Sequence, residues 1–182
     1  MNVSLIRGAD LVASPWKNGG GITREVAAHA HAWRASIADI DRPGLFSRFD
    51  GIDRVLVLLD GAGLMLDGPA VMQPFDVASF AGETAIDARL VDGPVRVFNL
   101  MTHRGAARVS VDAWCAPAAC VVDADTVLLH CARGALDVSV LRARFALAAG
   151  DTLRIDAAHR VDVRTEGDGA LLCARLAMEE RS

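Results

Sequence analysis

Short apolar runs, each closed off by glycine, proline or aspartate, follow one another through the whole chain, and few apolar repeats occur at helical spacing. Runs of that length and punctuation suit strands, so the pattern predicts an all-β fold. Strands are expected at 21–27, 33–40, 54–59, 64–66, 95–100, 108–111, 126–131, 135–141, 152–155, 161–164 and 170–176. The clusters Asp92-Gly93-Pro94 and Glu166-Gly167-Asp168-Gly169 are expected to turn the chain between neighbouring strands.

The two halves repeat each other. In the first, Val55 to Leu66 (VLVLLDGAGLML) places Gly61 between two apolar runs, and Asp76 follows fifteen residues after that glycine. In the second, Val127 to Val140 (VLLHCARGALDVSV) places Gly134 likewise, and Asp151 follows seventeen residues later in GDTLRI, residues 150–155. Strand, glycine, strand, loop, aspartate and strand thus occur twice, which predicts two similar small β-barrels side by side, over 1–104 and 109–182. A chain of 182 residues has room for both, and a composition 52% hydrophobic and 23% charged excludes a disordered one.

Several function classes drop out on composition. With 23 acids against 19 bases the net charge is −4, so nucleic acid is not an expected partner. The longest aliphatic run, Val55 to Leu59, is far short of the ~18 residues that cross a bilayer. The opening residues, Met1 to Arg7, lack the charged and apolar regions of a signal peptide. No membrane partner and a cytoplasmic location are therefore expected. Cys115, Cys120, Cys131 and Cys173 form no C-x-x-C pair and read as reduced, small apolar fillers. Every base but Lys17 is arginine, a pattern that arginine-biased codon usage accounts for.

The repeated glycine and aspartate turns resemble those of the cupin superfamily. A more specific likeness lies in four segments: Trp16 to Glu25 (WKNGGGITRE), Trp33 to Asp39 (WRASIAD), Gly44 to Arg54 (GLFSRFDGIDR) and Val97 to Met101 (VFNLM). In that order they resemble the successive signatures of the HutD/Ves family, over nearly the whole chain. The resemblance implies a bacterial bicupin associated with histidine utilisation, with N-formylglutamate the ligand it suggests.

Many cupins hold a metal with His-x-His, a glutamate and a third histidine. Counting back from Gly61, the glutamate's place is taken by Arg54 and the His-x-His region by Arg48, Phe49 and Asp50. The second half has Val122, Asp123, Ala124 and Val127 there, and only His159 stands where a ligand is wanted. A guanidinium repels a cation, so neither a metal nor another cofactor is expected. His29-Ala30-His31 has the spacing that puts two imidazoles on one face of a strand, but no glutamate follows it. His130, inside an apolar run, reads as a satisfied core or interface residue.

The candidate ligand residues are Asn18, Gly19, Gly20, Thr23, Arg24, Ser47, Arg54 and Asn99. Three successive glycines after Asn18 make either an anion-binding nest of backbone amides or a plain hairpin turn. Arg24 shares a strand face with Ile22 and Val26, where a guanidinium requires either an ion pair or a bound carboxylate. Arg54 points into the barrel or pairs at the strand end with Asp53 or Asp50. Asn99 is an amide in an apolar strand, so it stitches strands together or meets a ligand. Thr23 and Ser47 offer hydroxyls, while Trp16 and Trp33 read as core or rim. No catalytic residue is identified.

These residues suggest a metal-free binding protein for a small carboxylate metabolite, with a regulatory role in histidine utilisation. A metal-independent isomerase, epimerase or hydrolase is the alternative, and would need Glu25, Asp39, Glu83 or His159 at the pocket. A partner-binding module, with the second barrel forming a homodimer or docking a regulator, is the third reading.

Overall fold

A computed structural model describes Met1–Glu179. It is all-β: among the described residues there are fifteen strands and one 3-10 turn, Gly8–Asp10. Among the described residues no helix is long and apolar enough to cross a membrane. The chain divides into two compact units, one made of Leu11–Ala107 and the other of Met1–Asp10 together with Arg108–Glu179.

The chain begins with β1 (Asn2–Ile6), which belongs to the second unit, and then builds the first. In order come β2 (Ala13–Pro15), β3 (Gly21–His29), β4 (Trp33–Ile40), β5 (Gly44–Leu45), β6 (Ile52–Asp60), β7 (Leu64–Met65), β8 (Ala70–Val71), β9 (Val77–Ala81), β10 (Asp87–Leu90) and β11 (Val95–His103). A six-stranded antiparallel sheet runs β2-β3-β4-β11-β6-β9, and a four-stranded one runs β5-β10-β7-β8. The three central strands β4, β11 and β6 are buried over most of their length, which is why their sequences read as near-continuous apolar runs rather than strict alternation. One core gathers Ala38, Ile40, Leu56, Leu58 and Val97 from the large sheet with Leu64, Val71 and Ala88 from the small one. The turn expected at Asp92-Gly93-Pro94 joins β10 to β11.

The second unit adds β12 (Ala107–Cys115), β13 (Ala118–Val140), β14 (Ala143–Ala148) and β15 (Thr152–Met178) to β1, in the order β1-β15-β13-β14 with β12 also on β15. The strands expected at 126–131 and 135–141 are one, and so are those at 152–155, 161–164 and 170–176. Strand β15 bends where Ala157, Arg160 and Gly167 take positive φ (54°, 51° and 110°), so it can pass β13 twice. Thr126 to His130 thus lies between Thr152 to Asp156 on one side and Leu172 to Leu176 on the other. The turn expected at Glu166 to Gly169 is instead strand, paired with Gly134 to Asp137. Gly134 there has φ 74°, and a Cβ on it would stand 2.0 Å from the Asp168 carbonyl oxygen, so glycine permits close pairing rather than a reversal.

Residues 1–10 were expected with the first barrel and instead complete the second unit. Strand β1 pairs antiparallel with β15, from Asn2 opposite Asp156 to Ile6 opposite Thr152. Val3 and Leu5 pack on the aliphatic core of Val127, Leu129, Val138, Leu153, Ile155 and Leu171.

Candidate functional site

Strand alternation and register decide which side chains of the first unit face inward. Thr23 of β3, Ser36, Ala38 and Ile40 of β4, Arg54 and Leu56 of β6, and Val97 and Asn99 of β11 all line one cavity of about 460 Å³. The β2–β3 hairpin contributes Trp16, Lys17 and Asn18, and the segment after β5 contributes Phe46, Ser47 and Phe49. That volume lies within the ~300–1,000 Å³ usual for small-molecule sites.

Arg54 is the central charge. It is only 9% exposed, and its Nε and Nη2 donate to Asn99 Oδ1 at 3.3 and 2.9 Å. An amide nitrogen cannot accept these bonds, so the Asn99 oxygen faces the guanidinium and its NH₂ remains a donor for the cavity. The guanidinium carbon lies 5.0 Å from the Phe80 ring centroid, 5.2 Å from Phe46 and 5.9 Å from Phe49. These ring faces offset part of the desolvation cost. Among the described residues no carboxylate lies within 4 Å of it. Burial pulls its pKa down to about 10, so it stays charged at neutral pH.

Arg24 is not brought to the cavity. Its neighbour Thr23 takes the inward face, and Arg24 points to the other side, where its Nη1 donates to Asp39 Oδ2 at 2.7 Å. Arg96 donates to the same carboxylate at 2.6 and 3.2 Å. Burial pushes the Asp39 carboxyl up, but the bonds from Arg96 and Arg24 outweigh it and hold the pKa below the ordinary value. The ion-pair reading of Arg24 therefore holds, and the expected ligand contact is corrected. Arg24→Ala is expected to lower stability by about 1 kcal/mol and to leave carboxylate affinity within about twofold, as urea unfolding and calorimetry would show.

The glycine run is a hairpin turn, not a nest. Gly19 N donates to Trp16 O at 3.0 Å, Gly20 N to Asn18 Oδ1 at 3.0 Å, and Trp16 N to Gly21 O at 2.9 Å. The Gly19 and Gly20 amides are thus committed inside the turn, and neither glycine lines the cavity. A Cβ on Gly21 would meet the Asp39 carbonyl oxygen at 2.4 Å, which keeps side chains out of this crossing. Asn18, Thr23, Ser47, Arg54 and Asn99 do line the cavity; Thr23 Oγ1 accepts a 2.7 Å bond from Trp16 Nε1.

The carboxylates that an acid–base reaction would need lie elsewhere. Glu25 is held by Arg34 at 2.7 Å, Asp39 by Arg24 and Arg96, and Glu83 by Arg104 at 2.9 Å. His159, in the second unit, is exposed with Nδ1 3.7 Å from Asp123. His29 stacks on Trp33 at 6.3 Å, and the buried His130 Nδ1 is 2.9 Å from Thr152 Oγ1. Among the described residues no three His, Cys, Asp or Glu side chains are grouped to hold a metal. The metal that the cupin resemblance brings to mind does not fit this cavity, whose polar groups are guanidinium, ammonium, amide and hydroxyl.

Sequence reasoning missed Lys17, Arg34, Ser36, Phe46, Phe49 and Phe80. Alternation along Trp33 to Ile40 carried the signal for two of them, since Arg34 and Ser36 share a face with Ala38 and Ile40.

The profile of the HutD family matches residues 8–173. An uncharacterised 21.2 kDa protein in the hutC 3' region of Pseudomonas putida is 35% identical over 148 residues, 76% of this chain and 78% of that one. Protein Ves of Citrobacter koseri is 38% identical over 109 residues, 53% of this chain and 56% of its own length. Among solved structures, HutD from Pseudomonas fluorescens SBW25 superposes with a TM-score of 0.84 at 31% identity, covering 98% of this chain and all of that one. A cupin 2 conserved barrel protein from Leptotrichia buccalis matches with a TM-score of 0.60 at 8% identity over 98% of each chain, a likeness of fold alone.

Proposed function

The chain belongs to the HutD family, and on that footing we propose that it is a metal-free binding protein for a small carboxylate metabolite, acting as a regulator of histidine utilisation. The observation that carries this reading is Arg54, a buried cation with three phenyl rings about it and, among the described residues, no carboxylate within 4 Å. A buried charge left unpaired is costly, and a ligand carboxylate would supply the missing counter-ion through bidentate bonds. Asn99, Thr23 and Ser47 would orient the rest of the molecule, and Asn18 would bound it at the hairpin. A relative's position in the hutC 3' region of P. putida supports the tie to histidine utilisation, and N-formylglutamate is the candidate ligand that the family resemblance suggests. The cavity wall carries no carboxylate or imidazole among its described residues, which favours binding over acid–base turnover.

A thermal-shift screen with N-formylglutamate, urocanate and related acids tests the proposal. At a hundredfold excess over Kd the true ligand adds about 2.7 kcal/mol of stability, a rise of several degrees. A screen in which no acid raises the melting temperature would overturn it.

A further inference from the structure

The side chains of the cavity wall have many hydrogen-bond donors to give and few acceptors. Lys17, Arg34 and Arg54 line it, and among the described residues neither a carboxylate nor an imidazole does. The heads of lysine and arginine only donate. The amides and hydroxyls of the wall carry oxygens, but the protein has engaged three of these itself. Asn99 Oδ1 accepts from Arg54 Nε and Nη2 at 3.3 and 2.9 Å, which occupies both of its lone pairs. Thr23 Oγ1 accepts from Trp16 Nε1 at 2.7 Å, and Asn18 Oδ1 accepts from Gly20 N at 3.0 Å inside the hairpin. What these three residues have left for a ligand is chiefly N–H and O–H. Asn99 has the decisive place among them. A carboxylate at this position would take the same two bonds and cancel the Arg54 charge, whereas the neutral amide holds the guanidinium still and leaves its charge to be met by a ligand.

We infer that the cavity rejects ammonium groups, taking carboxylates whose nitrogen is acylated or missing and excluding the free amino acids, with Asn99 the residue that sets this preference. This rests on the carboxylate reading of the cavity and narrows it. A free α-amino acid carries its ammonium one carbon away from a carboxylate, so the two enter together. Inside, the ammonium gives up its water, lies among like charges and meets no anionic side chain of the wall. Acylation removes that charge and adds a carbonyl oxygen, an acceptor suited to the Asn99 NH₂ and the Thr23 hydroxyl. Loss of the nitrogen removes the charge as well.

Calorimetric titration of two matched pairs into the wild-type protein tests this: N-formylglutamate against glutamate, and urocanate against histidine. The second compound of each pair carries the ammonium that the first lacks. At least one ammonium-free acid is expected to bind about a hundredfold or more tightly than its amino-acid counterpart. Asn99→Asp is expected to melt higher than the wild type, because Arg54 gains a counter-ion, and to bind that acid about a hundredfold or more weakly. A preference under about tenfold in both pairs overturns the inference and leaves the carboxylate reading standing. An Asn99→Asp variant that melts lower, or that binds the acid within about tenfold of the wild type, overturns the part given to Asn99. The wild-type titrations decide the main point whether or not that variant folds. If no acid binds, the inference and the carboxylate reading fall together.

Discussion

Arg54→Met is expected to melt higher than the wild type and to have lost its response to carboxylates. The depression of the Arg54 pKa to about 10 corresponds to a burial cost of about 3 kcal/mol, only partly offset by the rings of Phe46, Phe49 and Phe80. Methionine fills similar space among those rings without a charge to desolvate, so even with the Asn99 oxygen left without its donor, a loss of about 1 kcal/mol, the variant should gain about 1 kcal/mol. The sign with pH follows from which state holds the proton. Between pH 10 and arginine's ordinary pKa the unfolded chain binds more protons than the native one at this position. Native stability from this group therefore rises over that interval, and the cost is fully present below pH 10. Arg54→Met removes that slope. Ligand affinity should fall about a hundredfold or more, because the truncated contact is a desolvated charge pair. Calorimetric melts with and without the acid decide the matter. A variant that melts lower than the wild type, or that still gains stability from the ligand, would contradict this account of Arg54.

Asp151→Ala is expected to be the most damaging single substitution considered, costing about 3–5 kcal/mol. The residue is 5% exposed and its carboxylate accepts from Gly8 N at 2.9 Å, Ala148 N at 3.0 Å and Arg7 Nη1 at 2.7 Å. Truncation strands two backbone donors, takes from the half-exposed Arg7 its ion pair, and cuts the tie that holds the segment after β1. Burial pushes the Asp151 carboxyl up, but the bonds from Gly8, Ala148 and Arg7 win and hold it below its ordinary pKa. Its contribution is therefore present above the ordinary aspartate pKa and is lost as the pH falls through the native one, below about pH 4. Hydrogen exchange should show the β1 amides losing protection in the variant at neutral pH and in the wild type in acid. Unchanged protection of Asn2 to Ile6 in Asp151→Ala would refute the assignment.

Much of this architecture could be read from local pattern. Trp33 to Ile40 has the strand limits that its composition suggests, and Asp151 was visible as the aspartate of GDTLRI. What escaped was set by partners far away in sequence. Arg24 and Arg54 looked alike as arginines on apolar strands; only the register that puts Asp39 opposite both Ile22 and Arg96 gives Arg24 its partner. The rings around Arg54 come from residues 46, 49 and 80, and no spacing rule ties Phe80 to Phe46. Gly134 and Gly169 signalled turns because glycine usually does so, yet here they let two backbones approach within one ladder. Strand β1 was missed because its residues alternate weakly and are only partly covered.

The pairing of Asn2 to Ile6 with Thr152 to Asp156 bears on the chain's birth. A ribosome adding roughly 5–20 residues per second emits the partner strand roughly 8–30 s after the first one. During that interval Leu11 to Ala107 can condense on its own, while β1 waits as a solvated edge with nothing to dock on. The second unit consequently closes after the first, because it needs a strand made about 150 residues later than the one it pairs with.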